Sequence, residues 1–334
     1  MRNQPPNRVN QQAAVPVIDL EGLRAGDCDA TKTVVEQISQ ACQNTGFFQV
    51  SGHGIDNRLI ERVFAVSGEF FDLPRATKNH IEQAGPVPGG LMYCPLMTET
   101  LAGSLGEAAP GDLKENLDFG PGFYGVDWPT EPTQLRSTWH EYYGALSTLA
   151  GELRRVFALA IGLPENYFEP LFDKHLSSLR VLNYPASTPA PGQLRAGAHS
   201  DYGFLTILRA GAGSSGLEIR HVNGAWTEID CLADGFVINL GDAMMRWTND
   251  HWQSSVHRVS NPPVDSQPRR RQSVAFFHNP NPQAIIDVFD AFCKAGEPKR
   301  YAPISYHDYA LEKYRQTHGD EAPNPFSPPR AEVS

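Results

Sequence analysis

Gly197-Ala-His-Ser-Asp-Tyr-Gly203 sets an imidazole and a carboxylate two residues apart, and the run after it, Phe204-Leu-Thr-Ile-Leu208, has the composition of a β-strand. If strand geometry extends over both, alternation sends His199 and Asp201 out of one face of a sheet. Such a pair is two thirds of a facial iron(II) site, in which two His and one carboxylate hold one side of an octahedron and leave the other side open. His257, in the strand-like run Ser254-Ser-Val-His-Arg-Val-Ser260, is the candidate third ligand. The gap between it and Asp201 has room for about four short strands, a path round a small barrel or jelly roll.

Alone, the His-x-Asp pair carries little, since most of the 11 histidines belong on the surface or in satisfied core positions. A further element gives it weight. Arg271-Gln-Ser-Val-Ala-Phe-Phe277 alternates so that Arg271, Ser273, Ala275 and Phe277 share one face. A guanidinium fork beside a hydroxyl is a carboxylate receptor. Arg269, Arg270 and Arg271 are consecutive, and the Ser two residues on, with alternation, selects Arg271. On the run Leu179 to Tyr184, Arg180 and Leu182 share the face of Tyr184. An interior guanidinium must be paired, so Arg180 is either a substrate contact or half of a buried ion pair. The aromatic walls that Tyr202 and Phe277 would add favour the contact, in a pocket suited to a planar or acidic small molecule.

The chain has 334 residues and 40% apolar content, which fits one large domain or a tightly fused pair. A formal charge of −10 argues against a general nucleic-acid or anionic-membrane surface and favours a small-molecule partner. The cysteines, at 28, 42, 94, 231 and 293, form no C-x-x-C pair and are odd in number, so neither a disulfide framework nor a zinc knuckle is indicated. With no apolar secretory core at the start and no run of about 18 apolar residues, a soluble, cytoplasmic protein is expected.

Residues 1–14 are polar and expected to be a mobile tail. Residues 15–125 read as an α/β amino-terminal region: a helix from Asp29 to Asn44 stopped at Gly46, a strand from Phe47 to Val50, and a helix capped by Asp56 and running to Phe71. Within it, 83–111 turns to Gly, Pro, Ala, Thr and Met without a period, which reads as a long loop and candidate substrate lid. Residues 126–178 hold buttressing helices, chiefly the apolar pattern from Pro132 to Gly162. From 179 to 282 the chain turns to short strands (179–184, 204–209, 217–221, 236–240, 255–259, 272–278), which suit a double-stranded β-helix, or jelly roll. The fold class is thus mainly β with flanking helices around that catalytic core. Residues 283–318 form a C-terminal segment with an amphipathic helix from Ser305 to His318, and 319–334 a loose tail. His53, among glycines, reads as a turn residue.

The order His199-x-Asp201, His257, Arg271-x-Ser273 resembles the non-haem iron(II), 2-oxoglutarate-dependent dioxygenases, specifically the isopenicillin N synthase-like branch. Val15-Pro-Val-Ile-Asp-Leu20 and Thr45-Gly-Phe-Phe-Gln-Val-Ser-Gly-His-Gly-Ile55 resemble that branch's opening domain. Lys114-Glu-Asn-Leu-Asp-Phe119 looks like its strand that returns to the sheet, and Asn183-Tyr-Pro185 its strand before the metal motif, so the resemblance spans residues 15 to 282. Arg195-Ala-Gly-Ala-His-Ser-Asp-Tyr-Gly203 and Arg246-Trp-Thr-Asn249 are most similar to thymine hydroxylase-like members. The resemblance implies iron(II) on His199, Asp201 and His257, 2-oxoglutarate as co-substrate with its far carboxylate on Arg271 and Ser273, and Tyr184 touching co-substrate or substrate. With O2 as oxidant, it implies hydroxylation or desaturation of a C–H bond in a small metabolite, as in natural-product biosynthesis. Positions matching Arg180, Tyr202 and Phe277 line the substrate site of those members, whereas Pro86-Val-Pro-Gly-Gly-Leu-Met-Tyr93 departs from their Asn-Arg-Gly-Tyr lid segment. Two alternatives stand beside this one: an iron oxidase or oxidative cyclase that does not use 2-oxoglutarate, and a non-catalytic jelly-roll binding module with incidental histidines.

Overall fold

The longest strand, Arg271–His278, is buried along most of its length, which puts it inside a sheet covered on both faces. The computed structural model describes residues 15–83, 87–125, 127–263, 267, 269–293 and 298–318, so the tails expected at 1–14 and 319–334 lie outside the described residues. In chain order the strands of the two main sheets are β1 (Val17–Asp19), β2 (Phe47–Ser51), β3 (Leu91–Cys94), β4 (Glu115–Phe119), β5 (Ser178–Tyr184) and β6 (Ala196–His199). They continue with β7 (Leu205–Ala210), β8 (Leu217–Arg220), β9 (Trp226–Glu228), β10 (Phe236–Leu240), β11 (His257–Val259) and β12 (Arg271–His278). Eight form one sheet in the order β1-β2-β10-β7-β12-β5-β4-β3, and four form a second, β9-β8-β11-β6. Strand β1 pairs with β2 in parallel, and the other ladders of these two sheets are antiparallel. This is the expected double-stranded β-helix core with flanking helices.

The outer face of the large sheet is covered by helices α1 (Cys28–Asn44), α2 (Asn57–Asp72) and α4 (Leu135–Ala160); α3 is Arg75–Gln83, α5 Asp242–Trp247 and α6 Tyr306–His318. Asp27 starts α1 by accepting from the backbone N–H of Asp29 (2.8 Å) and Ala30 (3.1 Å), and Asp56 starts α2 by accepting from Arg58 (2.8 Å). Helix α4, about 39 Å long at 1.5 Å per residue, buries Trp139, Tyr142, Leu146, Leu149, Leu153 and Phe157 in the core that also holds Phe48, Val181, Ile207, Val274 and Phe276. Each such side chain contributes about 1.5–3 kcal/mol by leaving water. The inner faces of the two sheets form a second apolar cluster, including Phe47, Leu182, Tyr184, Ala196, Leu217, Ile219 and Val259.

Several elements differ from the sequence reading. The stretch 83–111 is not a bare loop: strand β3 pairs with β4 (Tyr93 opposite Leu117) and Leu101–Leu105 is a 3-10 turn, while residues 84–86 lie outside the described residues. Elements this short leave no periodicity to read. Strands β6 and β9, of 4 and 3 residues, escaped notice for the same reason. His53 is held in its turn, its Nδ1 accepting from the N–H of Ile55 at 3.1 Å and its Nε2 lying 3.1 Å from the carbonyl of Asp234. No helix among the described residues is long and apolar enough to cross a membrane.

Gly46 ends α1 at φ +70°, and a Cβ there would overlap the carbonyl oxygen of Gln253. Both the left-handed backbone and the missing side chain are needed for α1 to turn into β2. Gly46→Ala is expected to lower stability by about 2 kcal/mol or more, read as a fall in the urea midpoint with an unchanged slope.

Candidate active site

The three candidate metal ligands converge, though not by the route the alternation argument supposed. His199 is the last residue of β6, in the small sheet, and lies opposite His257 of β11. Asp201 is on no strand: it belongs to the connection that crosses to β7 in the large sheet. That crossing is pinned by backbone bonds from the start of α5, Asp242 N–H to the Asp201 carbonyl (2.7 Å) and Ala243 N–H to that of Gly203 (3.2 Å). The approach at Gly203 is close: a Cβ there would overlap the side-chain oxygen of Asn279 unless that side chain moved. The ligands therefore meet because the chain changes sheets between them.

Hydrogen bonds fix which atoms face inward. His199 Nδ1 lies 2.8 Å from the carbonyl of Gly197 and His257 Nδ1 3.1 Å from that of Ser255. A carbonyl can only accept, so each Nδ1 carries the proton and each Nε2 presents a lone pair. Both Nε2 atoms are 3.9 Å from Oδ1 of Asp201. The other carboxylate oxygen, Oδ2, accepts from Thr206 Oγ1 (2.5 Å) and Asn239 Nδ2 (2.7 Å), leaving Oδ1 for a cation. Burial, and then the neighbouring His257, push the His199 pKa down to about 4, so the ring is in its neutral, ligating form at neutral pH. Burial acts to raise the Asp201 carboxyl, but the two imidazoles and the bonds from Asn239 and Thr206 outweigh it and keep it below its ordinary value. Two imidazoles and one carboxylate oxygen lying within 4.8 Å of one another make a donor set that suits a non-haem iron(II).

The cluster opens on a cavity of about 190 Å³ between the sheets. Alternation succeeds here: Arg271, Ser273, Ala275 and Phe277 of β12, and Arg180, Leu182 and Tyr184 of β5, all line it. The two strands pair with Arg271 opposite Tyr184 and Ser273 opposite Leu182. Arg271 donates from Nη1 to Ser273 Oγ (3.2 Å) and from Nε to the Ser215 carbonyl (3.2 Å), with its Cζ 4.8 Å from the Tyr184 ring centroid. Among the described residues no carboxylate pairs with it. A buried guanidinium held by a hydroxyl and an aromatic ring, with no protein countercharge, fits the carboxylate of a ligand.

The far end of the cavity is the reverse. Arg180 Nε donates to Asp118 Oδ1 at 2.6 Å and its Nη1 to Glu99 Oε1 at 3.2 Å. Of the two roles considered for Arg180, the ion pair is present, and the guanidinium nonetheless faces the cavity, as the favoured substrate contact requires. Glu99 also pairs with Lys114, whose side chain is 1% exposed, and lies 3.5 Å from His318 Nε2. Burial opposes the charge on Glu99, yet Arg180 and Lys114 hold its carboxyl well below the usual range. Phe277, 5.7 Å from the Arg180 Cζ, and Tyr202 supply the expected aromatic walls. Helix α6 closes this end with Tyr306, Ala310, Tyr314, Thr317 and His318. It is tied to the metal loop through Asp242, whose Oδ2 accepts from Tyr309 OH (2.7 Å) and Ser200 Oγ (3.2 Å).

Sequence reasoning missed Glu99, Lys114, Asp118, Thr206 and Asn239. A signal was present for two of them: Lys114 and Asp118 alternate on a strand flanked by apolar residues, which marks a buried polar face. Glu99, in an aperiodic stretch, gave none.

Residues 176–280 match the 2OG-Fe(II) oxygenase superfamily, and residues 15–141 match the family described as non-haem dioxygenase in morphine synthesis N-terminal. The chain is 30% identical to a 2-oxoglutarate-Fe(II) type oxidoreductase of Emericella nidulans, over 92% of this chain and 91% of that one. It belongs to the 2OG-Fe(II) oxygenase superfamily. Iron(II), 2-oxoglutarate and O2 are accordingly its cofactor and co-substrates, and it is a dioxygenase acting on a small molecule. Among other relatives of this oxygenase, a homoarginine-6-hydroxylase of Oryza sativa subsp. japonica is 31% identical over 90% of this chain and 96% of its own. Neurospora crassa thymine-7-hydroxylase, solved with α-ketoglutarate and thymine, superposes with a TM-score of 0.80 at 29% identity, covering 92% of this chain and 98% of that chain.

Asn239→Ala removes one of the two donors that hold Asp201 with Oδ1 inward. It is expected to weaken metal affinity roughly ten- to a hundred-fold, measured by anaerobic iron(II) titration, with little change in the thermal midpoint of the metal-free protein.

Proposed function

We propose that this oxygenase binds iron(II) through His199, Asp201 and His257, receives the far carboxylate of 2-oxoglutarate on Arg271 and Ser273, and hydroxylates or desaturates a small planar substrate held by Arg180, Tyr202 and Phe277. The observation that carries the reading is the division of one cavity into two ends, one with an uncompensated guanidinium and one with its charges already paired. Iron with 2-oxoglutarate and O2 supplies the oxidising power that breaks the C–H bond. The chain's own residues bind and orient. Arg271 and Ser273 fix the co-substrate by paired, charge-assisted hydrogen bonds, and Tyr184, stacked on that guanidinium, holds it against the sheet. Asn239 and Thr206 keep Asp201 turned so that one oxygen alone faces the metal.

Of the two substrate characters considered, planar and acidic, the site supports the planar one. Arg180 already lies against Asp118 and Glu99, so an anionic substrate at that end would meet two carboxylates and no free cation. The Phe277 and Tyr202 rings offer faces on which a flat molecule can rest. Helix α6 and the 3-10 turn at Leu101–Leu105 wall this chamber and would exclude water when substrate is present. The match of residues 15–141 to a family described as non-haem dioxygenase in morphine synthesis supports a role in secondary metabolism, and the free thiols suit a reducing, cytoplasmic compartment.

Anaerobic titration of iron-loaded protein with 2-oxoglutarate should bring up the weak visible charge-transfer band of the chelate, and Arg271→Ala should weaken that binding by roughly ten- to a hundred-fold. Iron bound without any band would overturn the co-substrate assignment to this pocket. Succinate released on adding candidate planar substrates then identifies the molecule oxidised.

A further inference from the structure

Lys78, Lys114 and Arg180 each carry a countercharge: Arg180 lies on Asp118 and Glu99, Lys114 on Glu99, and Lys78 on Glu115. The two buried arginines at the Arg271 end differ. Arg195, the residue before β6, is 7% exposed, and its Nη2 donates to the carbonyl oxygen of Arg269 at 3.1 Å. Neither Arg195 nor Arg271 has a carboxylate partner among the described residues. Burial, and then the Arg271 charge, push the Arg195 pKa below its ordinary value. Like charges brought together out of water, without a countercharge, destabilise a fold unless a bound anion relieves them.

We infer that Arg195 is the second cation of the co-substrate pocket, a positioning residue that acts through Arg271. Two physical roles are combined in it. Its fork holds the peptide at Arg269, two residues before the receptor guanidinium, and so sets where β12 begins. Its charge adds to the positive potential felt by a carboxylate at Arg271 and Ser273, in surroundings where screening by water is weak. Arg195 does not itself line the cavity, so its contribution is to affinity for the charged end of the ligand and not to shape. The same arrangement explains why, among the described residues, Arg271 bonds to a hydroxyl and a carbonyl and to no carboxylate: an acidic side chain there would satisfy both cations and leave no net attraction for a ligand. The inference rests on the reading that Arg271 receives the far carboxylate of 2-oxoglutarate.

The test uses iron-loaded protein without oxygen, titrated with 2-oxoglutarate and, separately, with 2-oxobutanoate, which chelates metal through the same keto acid but lacks the far carboxylate. Binding is followed by the visible band and by calorimetry. Arg195→Gln is expected to weaken 2-oxoglutarate about ten-fold while shifting 2-oxobutanoate by less than about two-fold. Arg195→Lys, which keeps the charge and loses the fork, should retain more of the preference for the dicarboxylate than Arg195→Gln does. Equal weakening of both keto acids would reduce Arg195 to a structural residue and overturn the inference, as would unchanged affinity for 2-oxoglutarate. Arg271→Ala separates the two levels: if it leaves 2-oxoglutarate affinity untouched, the co-substrate reading itself falls; if it weakens binding and Arg195→Gln does not, the second cation alone is refuted.

Discussion

Everything in the cavity depends on how the two oxygens of Asp201 are divided. Thr206 and Asn239 take one oxygen, and the other points at two imidazole lone pairs whose own protons are tied to backbone carbonyls. A carboxylate free to rotate would bond to whichever donor came near. Here the large sheet supplies both restraining donors, Thr206 from β7 and Asn239 from β10, paired directly opposite one another. The small sheet supplies both histidines, also opposite one another. The ligand set is therefore a joint between sheets, and the packing of Phe47, Leu182, Leu217 and Val259 between them is also what holds it in register.

Charge is distributed along the cavity by a simple rule. Among the described residues Arg271, at one end, meets no carboxylate, whereas Arg180, at the other, is closed by Asp118 and Glu99. The second arrangement is expensive to assemble, since Glu99, Lys114 and Arg180 are all removed from water, and it stabilises only because each charge meets its opposite at contact distance. Its effect is to give that end of the cavity a fixed polar wall whose donors and acceptors are aimed before anything binds. Tyr202 and Phe277 then add apolar surface beside fixed dipoles, the usual composition of a small-molecule site.

The sequence made the fold class legible because the strands of the catalytic core are punctuated by turn residues, and alternation correctly gathered Arg271, Ser273, Ala275 and Phe277 with Arg180, Leu182 and Tyr184 on cavity-facing positions. The His-Asp-His cluster was legible by residue type and order, but the supposed single strand carrying His199 and Asp201 was not real: local periodicity cannot report that a chain changes sheets between two residues. The ion pairs were the hardest part to see. Asp118 and Arg180 face each other across adjacent strands β4 and β5, and Glu99 comes from an aperiodic segment, so their partnership is a matter of register between elements far apart in sequence. Arg180 alone showed that a partner was needed; only the topology could name it.

The bond from Tyr309 to Asp242 has a consequence for how the molecule comes into being. Helix α6 lies near the end of the described chain, and it both walls the cavity and shares Asp242 with the loop between the metal ligands. A ribosome that has translated β12 has made His199, Asp201, His257 and Arg271, yet the cavity still lacks one wall and Asp242 one of its partners. The wall that α6 provides thus waits on residues that follow β12 in the chain, and a nascent chain halted before residue 306 lacks that side of the cavity.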